Sequence, residues 1–369
     1  MDELSKLKRS VQKKFGETAI STAMEMEPSI YVPSGSLALD FAIGTGGIPH
    51  NRVVEIAGTE GAGKTTLGIL AMSNFLDKFP ERGAAIIDLE HKLSSEWIQM
   101  LIGEEKARRV IIVWPDDIEQ ATVMYREICS SGAISYVLLD SIGGAPTSRE
   151  QEKVAMGGNT LGVGHFATTA SVFSHKYEVC TVGINQARED MGGYNRFITP
   201  GGKKWKHACV LRIQLKPGKD KYVEKINGED VQIGYSIIAK VIKNQLAAPF
   251  RVAWWPFYNV FTEKYGFGID RLSEIVRLSV MTGVIDRKGA WYYHDLFPDG
   301  KIQSVDGVSN FLRENSEIAD KISEQVLDAV KEKGASSVAS FGTNEAELSE
   351  EDNKITTSFE EAFINGGFK

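Results

Sequence analysis

With 369 residues, 42% of them hydrophobic and 25% charged, and a formal net charge of −7 at pH 7, the chain has an ordinary globular make-up with room for a large core and an accessory module. No stretch approaches the ~20 apolar residues of a membrane span, and the charged start Met1-Asp2-Glu3-Leu4-Ser5-Lys6-Leu7-Lys8-Arg9 precedes no apolar signal core, so a cytoplasmic protein with no membrane partner is expected. Cys129, Cys180 and Cys209 are odd in number and too far apart for a metal knuckle, which leaves them as reduced, buried thiols.

In chain order, Leu4, Leu7, Val11 and Phe15 recur at helical spacing, predicting an amphipathic helix within residues 1–20 that Gly16 closes. A polar link and an extended Ile30-Tyr31-Val32 follow, and Pro33 prevents further helix. From Ser34 to about Phe257 apolar runs alternate with helical patterns. The strands predicted are 53–57, 84–89, 110–113, 136–140, 180–185, 211–215 and 235–243. Helical segments between the early ones imply βαβ crossovers and a largely parallel sheet, hence an α/β fold. Beyond Ile269 helices over 270–282 and 305–333 surround a strand-like Gly289-Ala290-Trp291-Tyr292-Tyr293, which reads as a small α/β module. From about Gly334 the chain is polar and acidic, with Glu345, Glu347, Glu350, Glu351, Asp352, Glu360 and Glu361 offset by Lys354, and disorder is expected. The partition is therefore 1–33 for the N-terminal helix, 34–260 for the core, 261–333 for the C-terminal module and 334–369 for the acidic tail.

The run Gly58-Thr59-Glu60-Gly61-Ala62-Gly63-Lys64-Thr65 has the spacing of a P-loop between an apolar strand and a helical run that starts at Thr66. Glycines let backbone N–H groups turn around phosphates, Lys64 supplies a cation to the β/γ oxygens, the Thr65 hydroxyl can ligate Mg²⁺, and the helix N-terminus favours an anion. ATP with Mg²⁺ is the expected ligand. A second carboxylate, needed to hold the metal through water, is supplied by Asp140 at the end of the apolar run Tyr136-Val137-Leu138-Leu139. Hydrolysis also needs a group beside the γ-phosphate to orient water. Asp88 and Glu90 both qualify, and side-chain alternation leaves the choice between them open. Separately, Arg196, Lys203, Lys204, Lys206 and His207 form a basic patch among glycines and aromatics, the pattern of a phosphate contact.

Together these runs resemble the RecA recombinase family, over about 11–330. The matching segments are Pro33-Ser34-Gly35-Ser36-Leu37-Ala38-Leu39-Asp40, Val54-Glu55-Ile56-Ala57 leading into the P-loop, Ile87-Asp88-Leu89-Glu90-His91, Leu139-Asp140-Ser141, Ile184-Asn185-Gln186-Ala187-Arg188, Thr199-Pro200-Gly201-Gly202, the run from Val241 to Phe250, and Gly289-Ala290-Trp291-Tyr292. The resemblance implies a P-loop core of RecA type with Glu90 as catalytic carboxylate, Asp88 in support and Gln186 as γ-phosphate sensor. It implies a first DNA-binding loop near 154–162, where Gly157, Gly158 and Gly162 suggest mobility, and a second over 187–200 with Arg188 and Arg196. Gly201, Gly202, Lys203 and Lys204 then meet DNA phosphate at a helix start. Trp97 falls where an aromatic stacks on adenine, and Lys243 matches a lysine that reaches a neighbouring subunit's ATP in trans.

By the same resemblance the chain forms a helical filament on single-stranded DNA and exchanges it into homologous duplex, with single-strand-binding and loader proteins as further partner classes. Several positions depart from the pattern: Gln245 replaces the second trans lysine, His207 a Phe, Ser94 an Asp, and Phe166 and Phe173 stand where arginines would meet the DNA backbone. These mark a divergent member, bacterial or phage-encoded. Two other readings fit a P-loop protein: a ring helicase on the same core, and a DNA-coating protein that binds ATP with little turnover.

Overall fold

The computed structural model describes residues 3–16, 19–25, 29–144, 158–189, 197–249, 251–262 and 265–337. Contacts divide the chain into two compact units, Met1–Ile30 and Tyr31–Lys369. In the first, α1 (Glu3–Phe15) carries the expected stripe and ends before Gly16, whose φ of 98° suits glycine. Leu4, Leu7 and Phe15 are all more than half exposed, so the apolar face is not buried.

The second unit is organised by a nine-stranded sheet. Its strands are β1 (Val53–Gly58), β2 (Gly83–Asp88), β3 (Val110–Val113), β4 (Ile134–Asp140), β5 (Cys180–Gln186), β6 (Cys209–Ile226), β7 (Glu229–Asn244), β8 (Val252–Thr262) and β9 (Gly266–Ile269), in the spatial order β9-β8-β7-β6-β1-β5-β4-β2-β3. From β6 to β3 all neighbours are parallel, whereas β7, β8 and β9 extend the sheet antiparallel. The helices that connect and cover these strands are α2 (Leu37–Ile43), α3 (Lys64–Lys78), α4 (Ser95–Ile102), α5 (Glu104–Ala107), α6 (Ile118–Ser130), α7 (Gly158–Lys176) and α8 (Gly202–Ala208). Strands covered on both faces read as unbroken apolar runs, and six of the seven residues of β4 are buried. Alternation sorts them: Val54, Ile56, Ile86 and Leu138 share a core with α3, while Val53, Ile87, Val137 and Leu139 share another with α6 and α7.

Three elements differ from the sequence expectation. The strands at 211–215 and 235–243 are the inner ends of a long hairpin, β6–β7, closed by Asn227 and Gly228 with both φ values positive. Strands β8 and β9 were not predicted, because Pro256 and two glycines argue against them. Pro256 is accommodated beside the end of the β9 ladder, which begins at Phe257 opposite Ile269, and its carbonyl accepts from the Asp270 N–H at 3.2 Å. The helix expected over 305–333 is two, α10 (Val305–Glu314) and α11 (Ser316–Ser337), separated at Asn315, whose side chain caps the Phe311 carbonyl at 2.8 Å.

The C-terminal helices α9 (Arg271–Thr282), α10 and α11 put Ile275, Leu278, Val308, Leu312, Ile322 and Val326 into the core that α3 uses, beside a three-stranded sheet that holds Trp291–Tyr293. A carboxylate pins this seam. Glu274 of α9 accepts from the Ser36 hydroxyl at 2.5 Å and from the Leu37 and Ala38 N–H groups at 3.2 Å each, at the N-terminus of α2. Nearby Asp40 accepts from the Ser34 N–H at 2.9 Å. Burial pushes Asp40 up to about 8 and Glu274 up to about 7. All three cysteines are free and buried, as expected, and burial raises the Cys129 thiol to about 12. Among the described residues no helix is long and apolar enough to cross a membrane.

Candidate active site

Parallel register gathers the predicted chemistry at one edge of the sheet, the C-terminal ends of adjacent strands. Gly58 at the end of β1 is paired with Gln186 at the end of β5, and Asp88 at the end of β2 with Asp140 at the end of β4. The P-loop leaves β1 and enters α3 at Gly63, which caps the helix in the left-handed region, φ 74° and ψ 21°, where a side chain would be strained. Its Cβ would also fall 2.9 Å from Ile237 Cδ1. Lys64 donates to the Thr59 carbonyl at 2.7 Å, and the Tyr235 hydroxyl of β7 donates to the Gly61 carbonyl at 2.7 Å, so the loop is held from within and from the hairpin. Burial lowers the Lys64 pKa while Asp140, Glu90 and Glu60 oppose that shift.

Thr65 donates its hydroxyl to Asp140 Oδ2 at 2.7 Å. Burial raises Asp140 to about 6, against the Thr65 hydrogen bond, which marks a carboxylate short of positive charge. One hydroxyl and one carboxylate fit a hard cation that keeps several waters and takes phosphate oxygens, the habit of Mg²⁺.

Asp88 and Glu90 take different places because of where β2 stops. The strand ends at Asp88, so alternation does not continue to Glu90. Asp88 turns into its own loop and accepts from the N–H groups of Glu90 and Leu93 at 3.2 and 3.3 Å. Glu90 faces the strand tips: Oε1 accepts from the Ser141 hydroxyl and from Gln186 Nε2 at 3.2 Å, and Oε2 from Lys92 at 2.7 Å. Burial alone would raise its pKa, but the hydrogen bonds from Lys92, Ser141 and Gln186 outweigh it and the carboxyl lies below its ordinary value. Glu90 is therefore ionised and in contact with Gln186 across the strand tips. Lys92 is mostly exposed, so its ion pair is readily exchanged for water. Ser141 and Lys92 were not singled out from the sequence, although each lies within two residues of one that was.

The other predicted residues have these places. Trp97 on α4 is partly buried with its ring edge-on to Phe267 at 5.4 Å, and Ser94 caps α4 by accepting from the Trp97 N–H at 3.2 Å, a task Ser performs as well as Asp. Lys243 donates to the carbonyls of Lys206 and His207 at 2.9 and 3.2 Å, at the C-terminus of α8. Gly201, with φ 92°, caps α8, from which Lys203 and Lys204 project exposed. Gly158 opens α7, while Gly157, Arg196 and the Arg188 side chain lie outside the described residues. Phe166 and Phe173, which stand where the resemblance expects arginines, belong to the packing around Tyr125, at centroid distances of 5.1 and 6.3 Å. One reading of α7 is corrected: Gly162 lies within the helix and serves close packing rather than mobility, since a Cβ there would lie 2.5 Å from Ile118 Cγ2.

The RecA N-terminal domain matches residues 3–264 and the RecA C-terminal domain residues 273–331. The chain is similar to Protein RecA of Thermotoga maritima, 32% identical over 341 residues that cover 88% of this chain and 90% of that one. It is similar also to Protein RecA of Thermus thermophilus, 31% identical over 340 residues, with 88% and 93% covered.

Proposed function

The chain belongs to the RecA family, and from that premise we propose that it is a DNA-dependent ATPase and homologous recombinase that forms filaments on single-stranded DNA and promotes pairing and strand exchange with homologous duplex. The observation that carries the reading is the joint placement of Thr65 with Asp140, and of Glu90 with Ser141 and Gln186, at neighbouring strand tips.

In this reading residues 58–66 wrap the triphosphate, Lys64 meets the β/γ oxygens and Trp97 stacks on adenine. Mg²⁺ would be held by Thr65 directly and by Asp140 through water, supplying charge neutralisation at the phosphates. Glu90 orients a water for in-line attack on the γ-phosphorus and accepts its proton, so that the bond to the β-bridging oxygen breaks and ADP and phosphate leave. Gln186, already on Glu90, signals whether the γ-phosphate is present. Lys243 releases the end of α8 to approach the next protomer's ATP, which ties turnover to assembly. The exposed stripe Leu4, Leu7 and Phe15 supports docking of α1 on a neighbouring copy. DNA is met by Gly157, Gly158, Arg188, Arg196, Gly201, Gly202, Lys203 and Lys204 through phosphate contacts that do not read sequence, leaving homology to base pairing. The partition 1–33, 34–260, 261–333 and 334–369 is proposed with these roles, in a cytoplasmic protein.

ATP hydrolysis with and without long single-stranded DNA tests the reading, with filaments followed by electron microscopy. Stimulation by DNA on open filaments is the expected result. Closed rings would favour the helicase, and binding without turnover the coating protein.

A further inference from the structure

Glu55 lies on β1 beneath the P-loop with 0% of its surface exposed, on the sheet face opposite α3. Its Oε1 accepts from Asn185 Nδ2 at 2.7 Å and from the Trp205 indole at 2.9 Å, and its Oε2 from Arg212 Nε. The donors do not stop there. Arg212 Nη2 donates to the Thr199 hydroxyl at 3.0 Å, and Asn185 Nδ2 to the Pro200 carbonyl at 3.0 Å. Gly183, paired with Glu55 across β1 and β5, leaves the space that the Trp205 ring fills, for a Cβ there would lie 2.4 Å from Trp205 Cζ2.

One carboxylate thus gathers three segments: the end of β5, whose next residue Gln186 touches Glu90, and α8, which bears Lys203 and Lys204, both directly, and the stretch Thr199–Pro200 through Arg212 and Asn185. An apolar side chain would fill the same interior without the desolvation cost of a buried ion pair. What the pair adds is geometry, because its directional hydrogen bonds tie the three segments to one another.

We propose that Glu55 is a positioning residue that couples occupancy of the nucleotide site, felt at Gln186, to the placement of residues 199–208. The inference rests on the reading of the Lys203/Lys204 face as DNA-binding only for its biological use, not for the coupling itself. Glu55 touches none of Lys64, Thr65, Glu90 or Asp140 through a hydrogen bond described above, so nucleotide affinity and coupling are separable.

The test uses the full-length protein, wild type beside Glu55→Gln and Trp205→Phe, and follows hydrogen exchange over residues 199–208 with and without a non-hydrolysable ATP analogue and Mg²⁺. In wild type the nucleotide is expected to slow exchange there by at least about fivefold. Glu55→Gln should lose that slowing while affinity for a fluorescent ATP analogue stays within about threefold. Trp205→Phe, which keeps a ring over Gly183 and removes one donor, should lose part of it, and it carries the test alone should Glu55→Gln fail to fold. Wild-type slowing retained in the variants, or absent from wild type itself, overturns the inference, as does a loss of nucleotide affinity that merely tracks thermal stability. Failure of the recombinase reading is seen separately: a wild type unstimulated by single-stranded DNA yet showing Glu55-dependent slowing would sink that reading and keep the coupling.

Discussion

The parallel half of the sheet and its antiparallel extension differ in what their strand ends carry. In the parallel half four adjacent C-terminal tips carry the polar groups of the site: Gly58 and the P-loop on β1, Asp88 on β2, Asp140 on β4 and Gln186 on β5. In the extension, β7 meets that site through the Tyr235 hydroxyl on the Gly61 carbonyl and through Ile237 beside Gly63, and its Lys243 is spent on the carbonyls of α8. The same contrast divides the carboxylates. Asp140 and Glu90 are partly open to the site and pushed in opposite directions, whereas Asp40 and Glu274 are fully buried in the seam to the C-terminal helices and both pushed upward. A carboxylate at a strand tip is poised for chemistry, and one in the seam for holding helices together.

If the division is right, the largest effects come from the parallel tips. Lys64→Ala removes a cation from the phosphates and should weaken ATP binding by roughly 10- to 100-fold, measured by titration with a fluorescent analogue. Asp140→Asn should cost about tenfold in the Mg²⁺ dependence of that binding. In wild type the same dependence should weaken as the pH falls through about 6, where Asp140 takes up a proton, and the variant should show a smaller step, the one that protonation of ATP itself leaves.

The seam predicts a stability effect with no loss of binding. Asp40 and Glu274 bind protons in the fold that the unfolded chain releases near the ordinary values of 3.8 and 4.5. Their contribution is therefore complete at low pH and lost as the pH rises through about 7 to about 8. Glu274→Gln should remove the smaller part of that slope, Asp40 keeping the larger, a difference on the order of a few °C in Tm between about pH 5 and about pH 9 by thermal denaturation. The smallest effect belongs to the extension. Tyr235→Phe deletes one hydrogen bond to the P-loop and should weaken nucleotide by no more than about fivefold, and a larger loss would break the comparison.

The parallel tips were also the legible part. Buried strands betray themselves as apolar runs, and the P-loop and Asp140 each follow one directly, so both could be read from spacing, whereas Gln186 was placed by the resemblance. Four things could not. Alternation does not say that β2 stops at Asp88, so it could not tell Glu90 from Asp88, and only the resemblance favoured Glu90. The hairpin arms alternate weakly, and Pro256 hides β8 by the rule that excludes proline from strands. Phe166 and Phe173 were placed by resemblance to other chains, and only packing shows that they face Tyr125. Glu55 drew no notice because its partners Asn185, Trp205 and Arg212 are more than a hundred residues away in sequence.

The central claim is that Glu90 at the strand tips drives DNA-stimulated hydrolysis. Steady-state ATP turnover of wild type and Glu90→Gln, each with and without long single-stranded DNA, tests it most directly. The account predicts strong stimulation in wild type and a fall of at least about 100-fold in the variant, with ATP and DNA binding retained and filaments still visible. A variant that hydrolyses ATP at the wild-type rate, or a wild type indifferent to single-stranded DNA, would contradict it.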